Sequence, residues 1–213
     1  MSNTLQENQD YKKYMVDSKL QYYKPHATKI EKTFSQEISA SLNCKSKFIS
    51  PKFFYDKKGS ELFEKICTLP EYYPTRTEVS ILEKLPVELL PFLDDSTRLV
   101  ELGSGASVKT RLILDIFTKL QEKTEYFPID ISEILTESSE LLLSNYNQLH
   151  ITGIIDTYEG GLEFLKNYDD KKNLILFLGS SFGNFSPHDG YAFLQKIHST
   201  MKSGDLFLIG LDL

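Results

Sequence analysis

Leu99-Val100-Glu101-Leu102-Gly103-Ser104-Gly105 is the stretch on which the fold turns. Its first four residues read as a buried strand. The last three read as a tight turn, with two glycines free to take backbone angles that other residues avoid. The turn runs into a segment where Leu112, Ile113, Ile116, Phe117 and Leu120 recur at helical spacing. Ser107 is placed to cap that helix. A strand, a glycine turn and a helix in succession open a parallel α/β sheet.

The alternation continues toward the C-terminus. Tyr126-Phe127-Pro128-Ile129-Asp130 reads as a second strand, and Ser132 caps a helix carrying Leu135, Leu142 and Tyr146. Residues 151–155 read as a third strand, and 162–165 sit on a short helix. Leu174-Ile175-Leu176-Phe177-Leu178 is apolar without alternation, the pattern of a central parallel strand covered on both faces. Ser186-Pro187-His188-Asp189 is a capping box with proline at the first helical position. Phe193, Leu194, Ile197 and Met201 form the buried side of that helix, and residues 206–209 make a fifth strand. The expected architecture is a Rossmann-like parallel sheet over residues 94–213, with right-handed crossovers. The sequence closes on this apolar strand with no covering helix after it, so the core is expected to be incomplete and its C-terminal part truncated.

Residues 1–93 are expected to be mainly helical and to contribute to a substrate site. Residues 1–50 are polar with scattered aromatics. Ile30, Phe34 and Ile38 predict one short helix, the first dozen residues are expected to fray, and Tyr22 and Tyr23 are expected to pack. Ser60 reads as the cap of a helix carrying Leu62, Phe63 and Ile66, stopped at Leu69-Pro70. Thr75-Arg76-Thr77-Glu78 reads as a capping box opening the next helix, which Pro86 kinks or ends.

The bulk numbers narrow the classes. A chain of 213 residues, 40 % hydrophobic and 25 % charged, suits a globular protein of one large domain or two small ones. A net charge of −6 argues against a nucleic-acid footprint. No apolar run reaches membrane-spanning length, and residues 1–10 lack the apolar core of a secretory signal. Cys44 and Cys67 are too few for a disulfide framework or a zinc site, and the four histidines have no ligand spacing. The expectation is a cytoplasmic monomer acting on a small molecule, with no nucleic acid, membrane or metal partner. Asp94-Asp95 reads as a solvated loop.

Ligands of open α/β sheets bind beyond the carboxyl ends of the strands, and three such ends carry suggestive residues. After the first, a dinucleotide fingerprint would place a third glycine where Val108 stands, so the loop suits a ligand without a pyrophosphate. Glu101 would repel phosphate and could suit a cationic head group. Asp130, ending the second strand, either accepts hydrogen bonds from ribose hydroxyls or caps the next helix. Asn184, in Gly179-Ser180-Ser181-Phe182-Gly183-Asn184, offers both acceptor and donors for a zwitterionic amino acid, or is an ordinary turn asparagine.

Ser50-Pro51-Lys52-Phe53-Phe54-Tyr55-Asp56-Lys57-Lys58-Gly59-Ser60-Glu61-Leu62-Phe63, followed by Leu69-Pro70-Glu71-Tyr72-Tyr73-Pro74-Thr75-Arg76, resembles the N-terminal signature of the histidine-specific Nα-methyltransferases. Residues 99–110, 127–130, 177–184 and 203–212 continue the resemblance in order, over roughly residues 45–213. It implies an S-adenosyl-L-methionine-dependent enzyme that trimethylates the α-amino group of L-histidine, giving hercynine on the way to ergothioneine. Carried over by position, Gly103 and Lys109 contact the cofactor and Asp130 holds its ribose. Thr157 and Tyr158 stand where the family has an Asp-Phe pair beside the adenine, with Asp156 one residue before them. Tyr72 and Asn184 match residues that bind the substrate's backbone groups, and Tyr55 matches a tyrosine near the reacting amine, the candidate catalytic residue, for orienting the amine first or relaying its proton. The family's imidazole-holding segment has no counterpart in this sequence. Three readings compete: an amino-acid N-methyltransferase acting on histidine or another amino acid, a cofactor-binding fragment without activity, and a nucleotide-sugar or NAD enzyme, against which Val108 counts.

Overall fold

A computed structural model describes residues 10–26, 33–54, 57–105, 108–132 and 134–212. Two compact units result: residues 1–26 with 78–213, and residues 27–77.

The larger unit is built on one sheet. Its strands are β1 (Tyr11–Met15), β2 (Leu20–Pro25), β3 (Arg98–Leu102), β4 (Thr124–Asp130), β5 (Leu149–Ile155), β6 (Asn173–Phe177) and β7 (Leu206–Ile209), in the order β1-β2-β5-β4-β3-β6-β7. Every neighbouring pair is parallel except β1 with β2. The helices are α1 (Phe34–Leu42), α2 (Lys57–Cys67), α3 (Pro74–Leu82), α4 (Pro86–Leu89), α5 (Val108–Leu120), α6 (Ile134–Asn145), α7 (Tyr158–Tyr168) and α8 (Pro187–Thr200). The smaller unit holds α1 and α2, and the boundary falls inside α3, between Thr77 and Glu78. Among the described residues, no helix is long and apolar enough to cross a membrane.

The unbroken apolar runs of the central strands serve two cores. Leu99, Leu174 and Leu176 pack with Ile113, Leu114 and Phe117 of α5 and with Leu135 and Leu142 of α6. Val100, Leu102, Ile175 and Phe177 pack on the opposite face with Leu162, Phe164 and Leu165 of α7 and Phe193 and Ile197 of α8. Period-two side-chain alternation thus persists although both faces are apolar. Pro128 sits inside β4 without an amide hydrogen to give. The ladder to β5 runs from Tyr126 to Ile151 and resumes at Ile129 with Ile154, skipping the proline.

The N-terminal residues depart from the expected helical segment. Residues 33–92 are helical in large part, as expected, but residues 10–26 form a hairpin that extends the sheet. β2 lies parallel to β5, with Leu20 opposite Ile151 and Tyr23 opposite Ile154. Leu20 and Tyr22 join one core and Tyr23 the other, so the two tyrosines do pack. Tyr11 and Lys12, expected to fray, lie in β1. Interleaved Gln21, Lys13 and Lys24 dilute the strand pattern, and only the open edge of β5 reveals what the segment pairs with.

Helix starts also shift. α2 begins at Lys57, which puts Ser60 inside it rather than at its cap. α3 begins at Pro74, ahead of the expected capping box. Pro86 opens α4 instead of ending a helix, because its fixed φ suits a first turn. Ser132 caps α6 through Ile134, and Ser186 caps α8 through Asp189, as expected. Ser107 and Ile30 lie outside the described residues. Asp94 is exposed but ordered: its carboxylate accepts from Ser96 and Thr97, which holds its pKa well below the usual range.

At the amino ends of the strands, Arg98 is 1 % exposed. Its Nη1 and Nη2 each donate to one oxygen of Asp169 at 2.9 Å, and Nε donates to Asn173 Oδ1 at 2.9 Å. The guanidinium lies 4.2 Å from the centre of the Phe127 ring. Arg98→Met would leave Asn173 Oδ1 without its donor and the Asp169 carboxylate with only the Lys171 amide. The expected loss is about 3 kcal/mol, read as a lower urea midpoint with unchanged slope. A midpoint equal to wild type would remove this network from the interactions that hold the sheet.

Candidate functional site

The carboxyl ends of β3, β4, β5 and β6 carry the residues singled out in the larger unit. After β3, Gly103 has φ +73° and Gly105 φ +46°. The Gly103 amide donates to Ile129 O at 2.9 Å, tying the turn to β4. A Cβ on Gly103 would lie 2.7 Å from Tyr158 Oη, so conformation and space both demand glycine. A Cβ on Gly105 would meet nothing within 4 Å. Between them, Ser104 Oγ is buried with no hydrogen-bond partner among the described residues.

Asp130 faces this turn. Oδ1 accepts the Ser132 amide at 2.9 Å, and Oδ2 lies 3.4 Å from the Gly105 amide. Burial raises its pKa, and these backbone donors oppose the rise. The carboxylate therefore both shapes the start of the next helix and stands against the glycine loop.

Glu101 differs from its expected role. It is 3 % exposed, and Oε2 accepts from Tyr126 Oη at 2.6 Å and Thr110 Oγ1 at 2.7 Å. The side chain points into the core and is held by two hydroxyls, so it does not offer itself to a cationic ligand. Desolvation lifts its pKa to about 7, against the pull of both hydroxyls and of Lys109.

Thr157 caps α7, its Oγ1 accepting the Gly160 amide at 3.2 Å. Tyr158 stands edge-on to Phe177 at 5.4 Å, which fixes its hydroxyl beside Gly103. Asp156 is already engaged: Oδ1 accepts the Thr157 amide at 2.7 Å, and Oδ2 accepts Tyr11 Oη at 2.5 Å. The missed strand β1 thus reaches the carboxyl end of β5.

Lys109, the second residue of α5, donates to Glu78 Oε2 at 2.6 Å, and Glu78 Oε1 accepts the Gly179 amide at 2.8 Å. Glu78 was legible only as the end of a capping box. Its partners are 31 and 101 residues away, and no local pattern encodes them. Gly179 and Ser180 turn the chain at φ +82° and +58° into a 3-10 turn, Ser181–Asn184. Phe182 and Phe185 anchor that turn on Phe193, and Asn184 is left exposed.

The structure therefore gathers Gly103, Asp130 and Tyr158 round one turn and holds Lys109 between α5 and the end of β6. Tyr72 belongs to the smaller unit, half-buried with its ring edge-on to Phe63 at 6.0 Å. Tyr55 lies outside the described residues. The glycine loop with its open side at Gly105, the Ser104 hydroxyl without a partner among the described residues and the facing carboxylate of Asp130 fit a ligand that brings hydroxyls and no phosphate, as S-adenosylmethionine does.

The buried Glu101 yields a pH prediction. A carboxyl whose folded pKa is raised lends its full stability below the unfolded value and loses it as pH climbs through the folded pKa, here about 7. Glu101→Gln cannot ionise. Its melting temperature relative to wild type should therefore rise between about pH 5 and pH 8. Parallel curves for the two proteins across that range would show that Glu101 does not titrate there.

A family model described as histidine-specific methyltransferase, SAM-dependent, matches residues 34–213. "Histidine N-alpha-methyltransferase" of Mycolicibacterium smegmatis is 36 % identical over 179 residues, 84 % of this chain and 55 % of the relative. "Ergothioneine biosynthesis protein 1" of Neurospora crassa is 31 % identical over 211 residues, 92 % of this chain and 24 % of the relative. The chain thus spans 55 % of the bacterial relative and 24 % of the fungal one. Among solved structures, a duf574 family protein from Streptomyces avermitilis shares the fold, with a TM-score of 0.51 at 12 % identity over 81 % of this chain and 65 % of that one. With a sheet of the matching kind and a family match over most of its length, the chain belongs to the SAM-dependent, histidine-specific methyltransferases.

Proposed function

We propose that this chain binds S-adenosylmethionine and takes part in methylating the α-amino group of an amino acid, L-histidine, as far as the trimethylated product hercynine. The observation that carries this reading is the family match over residues 34–213 on a chain whose glycine loop faces Asp130. The donor supplies a methyl group on a positively charged sulfur. The chain's own residues position what reacts.

In this reading Asp130 accepts hydrogen bonds from the ribose hydroxyls. Gly103 and the open side at Gly105 let the backbone approach the donor. Lys109 meets the donor's amino-acid end, and Thr157 and Tyr158 border its base. Asn184, exposed and carrying both an acceptor and donors, holds backbone groups of the acceptor amino acid. Tyr72 is a candidate for the same task, to be tested separately, and Tyr55 for orienting the amine. Direct transfer needs a neutral amine held in line, so orientation supplies much of the acceleration. The two free cysteines suit a reducing, cytoplasmic setting, and a monomer with a small-molecule substrate suffices for the chemistry.

Calorimetry with S-adenosylmethionine, repeated with histidine present, tests the reading, with mass spectrometry of the products. Binding of both ligands and appearance of methylated histidine is the expected result. Cofactor binding without histidine binding or product would favour a binding role alone. Product from another amino acid would change the substrate, and a preference for NAD would overturn the cofactor. Asp130→Ala should weaken S-adenosylmethionine binding about ten-fold or more, the size of a lost hydrogen bond to a charged group. Unchanged affinity would take Asp130 out of the site.

A further inference from the structure

Glu78 lies outside every site residue read from the sequence, yet its carboxylate stands where three segments of the larger unit meet. Lys109 comes from the start of α5, Gly179 from the end of β6, and Gly210 from just beyond β7. The ion pair is 2.6 Å long, with side chains 24 % and 16 % exposed, so water screens it only in part. Gly179, at φ +82°, brings its backbone so close that a Cβ would sit 3.0 Å from Lys109 Nζ. A Cβ on Gly210 would overlap Glu78 Oε1. Gly210 thus makes room for the Glu78 carboxylate, and Gly179 for the Lys109 ammonium, at the ligand-binding end of the sheet.

We propose that Glu78 is a positioning residue for the methyl-donor site, holding the Lys109 ammonium between the loops after β3 and β6 so that it meets the carboxylate of the donor's amino-acid end. This rests on the reading that the chain binds S-adenosylmethionine. A lysine ammonium sits on a flexible four-carbon stem with three N–H donors. Glu78 takes one donor and immobilises the stem before the ligand arrives, which lowers the ordering cost of binding. The other oxygen of Glu78 fixes the Gly179 amide, and with it the turn leading to Asn184. Glu78 itself touches no ligand in this arrangement and acts through Lys109.

The test is calorimetry with two ligands on wild type, Glu78→Gln, Lys109→Met and the double variant. S-adenosylmethionine carries the carboxylate; 5′-methylthioadenosine lacks the amino-acid end. Glu78→Gln keeps the size and an acceptor for Gly179 but cannot hold an ammonium. It should weaken S-adenosylmethionine about ten-fold, as loss of a charged hydrogen bond would, and leave methylthioadenosine unchanged. In the Lys109→Met background it should add little, since the two residues act as one unit. Glu78→Asp, one methylene shorter, should show the same selectivity, and thermal unfolding of each variant verifies the fold. Equal losses for both ligands, additive losses in the double variant, or full S-adenosylmethionine affinity in Glu78→Gln would overturn the proposal while leaving the cofactor reading intact. A wild type that binds no S-adenosylmethionine would overturn both.

Discussion

The parallel pairing of β3 with β4 on one side and β6 on the other is the constraint from which the site follows. From β3 the chain winds outward through β4 to β5, then returns to lay β6 and β7 on the opposite side. The crossover helices consequently go to different faces, with α5 and α6 on one and α7 and α8 on the other. At the switch between the two windings, the loops after β3 and β6 part, and a crevice opens at the carboxyl ends of the strands. Gly103 and Gly179 take positive φ at just these two places. Each lets the chain leave a strand sharply and passes close to a side chain, Tyr158 in one case and Lys109 in the other.

Glu101, Asp156, Glu78 and Asp130 of the larger unit lie toward this end of the sheet, and their partners separate their roles. Glu101 is satisfied by two hydroxyls inside the core. Asp156 is satisfied by Tyr11 and the start of α7. Glu78 is satisfied by Lys109 and a backbone amide. Asp130 leans on backbone amides alone, one of them at 3.4 Å, and keeps acceptor capacity for a ligand. The amino ends of the strands do different work: there Arg98 joins β3 to the start of β6 and the end of α7, and Asp205 extends the network to the approach of β7.

The aromatic residues bind the two levels together. Phe177, Phe185 and Phe193 stack behind the loop after β6, and Tyr158 leans on Phe177 and Phe193. The same cluster that covers one face of the sheet therefore sets the position of a hydroxyl at the glycine loop. Packing and site geometry cannot be varied independently there, because a shift of Phe177 moves the Tyr158 ring that rests on it.

The order of strands and helices from Arg98 onward was written in the sequence. Apolar runs, helical spacing, glycine turns and capping serines act between residues a few positions apart, and β3 to β7 follow from them. The glycine loop, Asp130 at the end of β4 and the turn before Asn184 were legible for the same reason. The tertiary structure alone decided where side chains found their partners. Tyr11 reaches Asp156 across 145 residues, and residues 10–26 become strands because β5 offers an open edge. Glu101 turns from the ligand side into the core because Thr110 and Tyr126 meet it there. Glu78, read as the end of a capping box, instead meets Lys109 and Gly179. Each of these outcomes is a long-range choice of hydrogen-bond partner, and such choices are made by the assembled sheet rather than by neighbours in the chain.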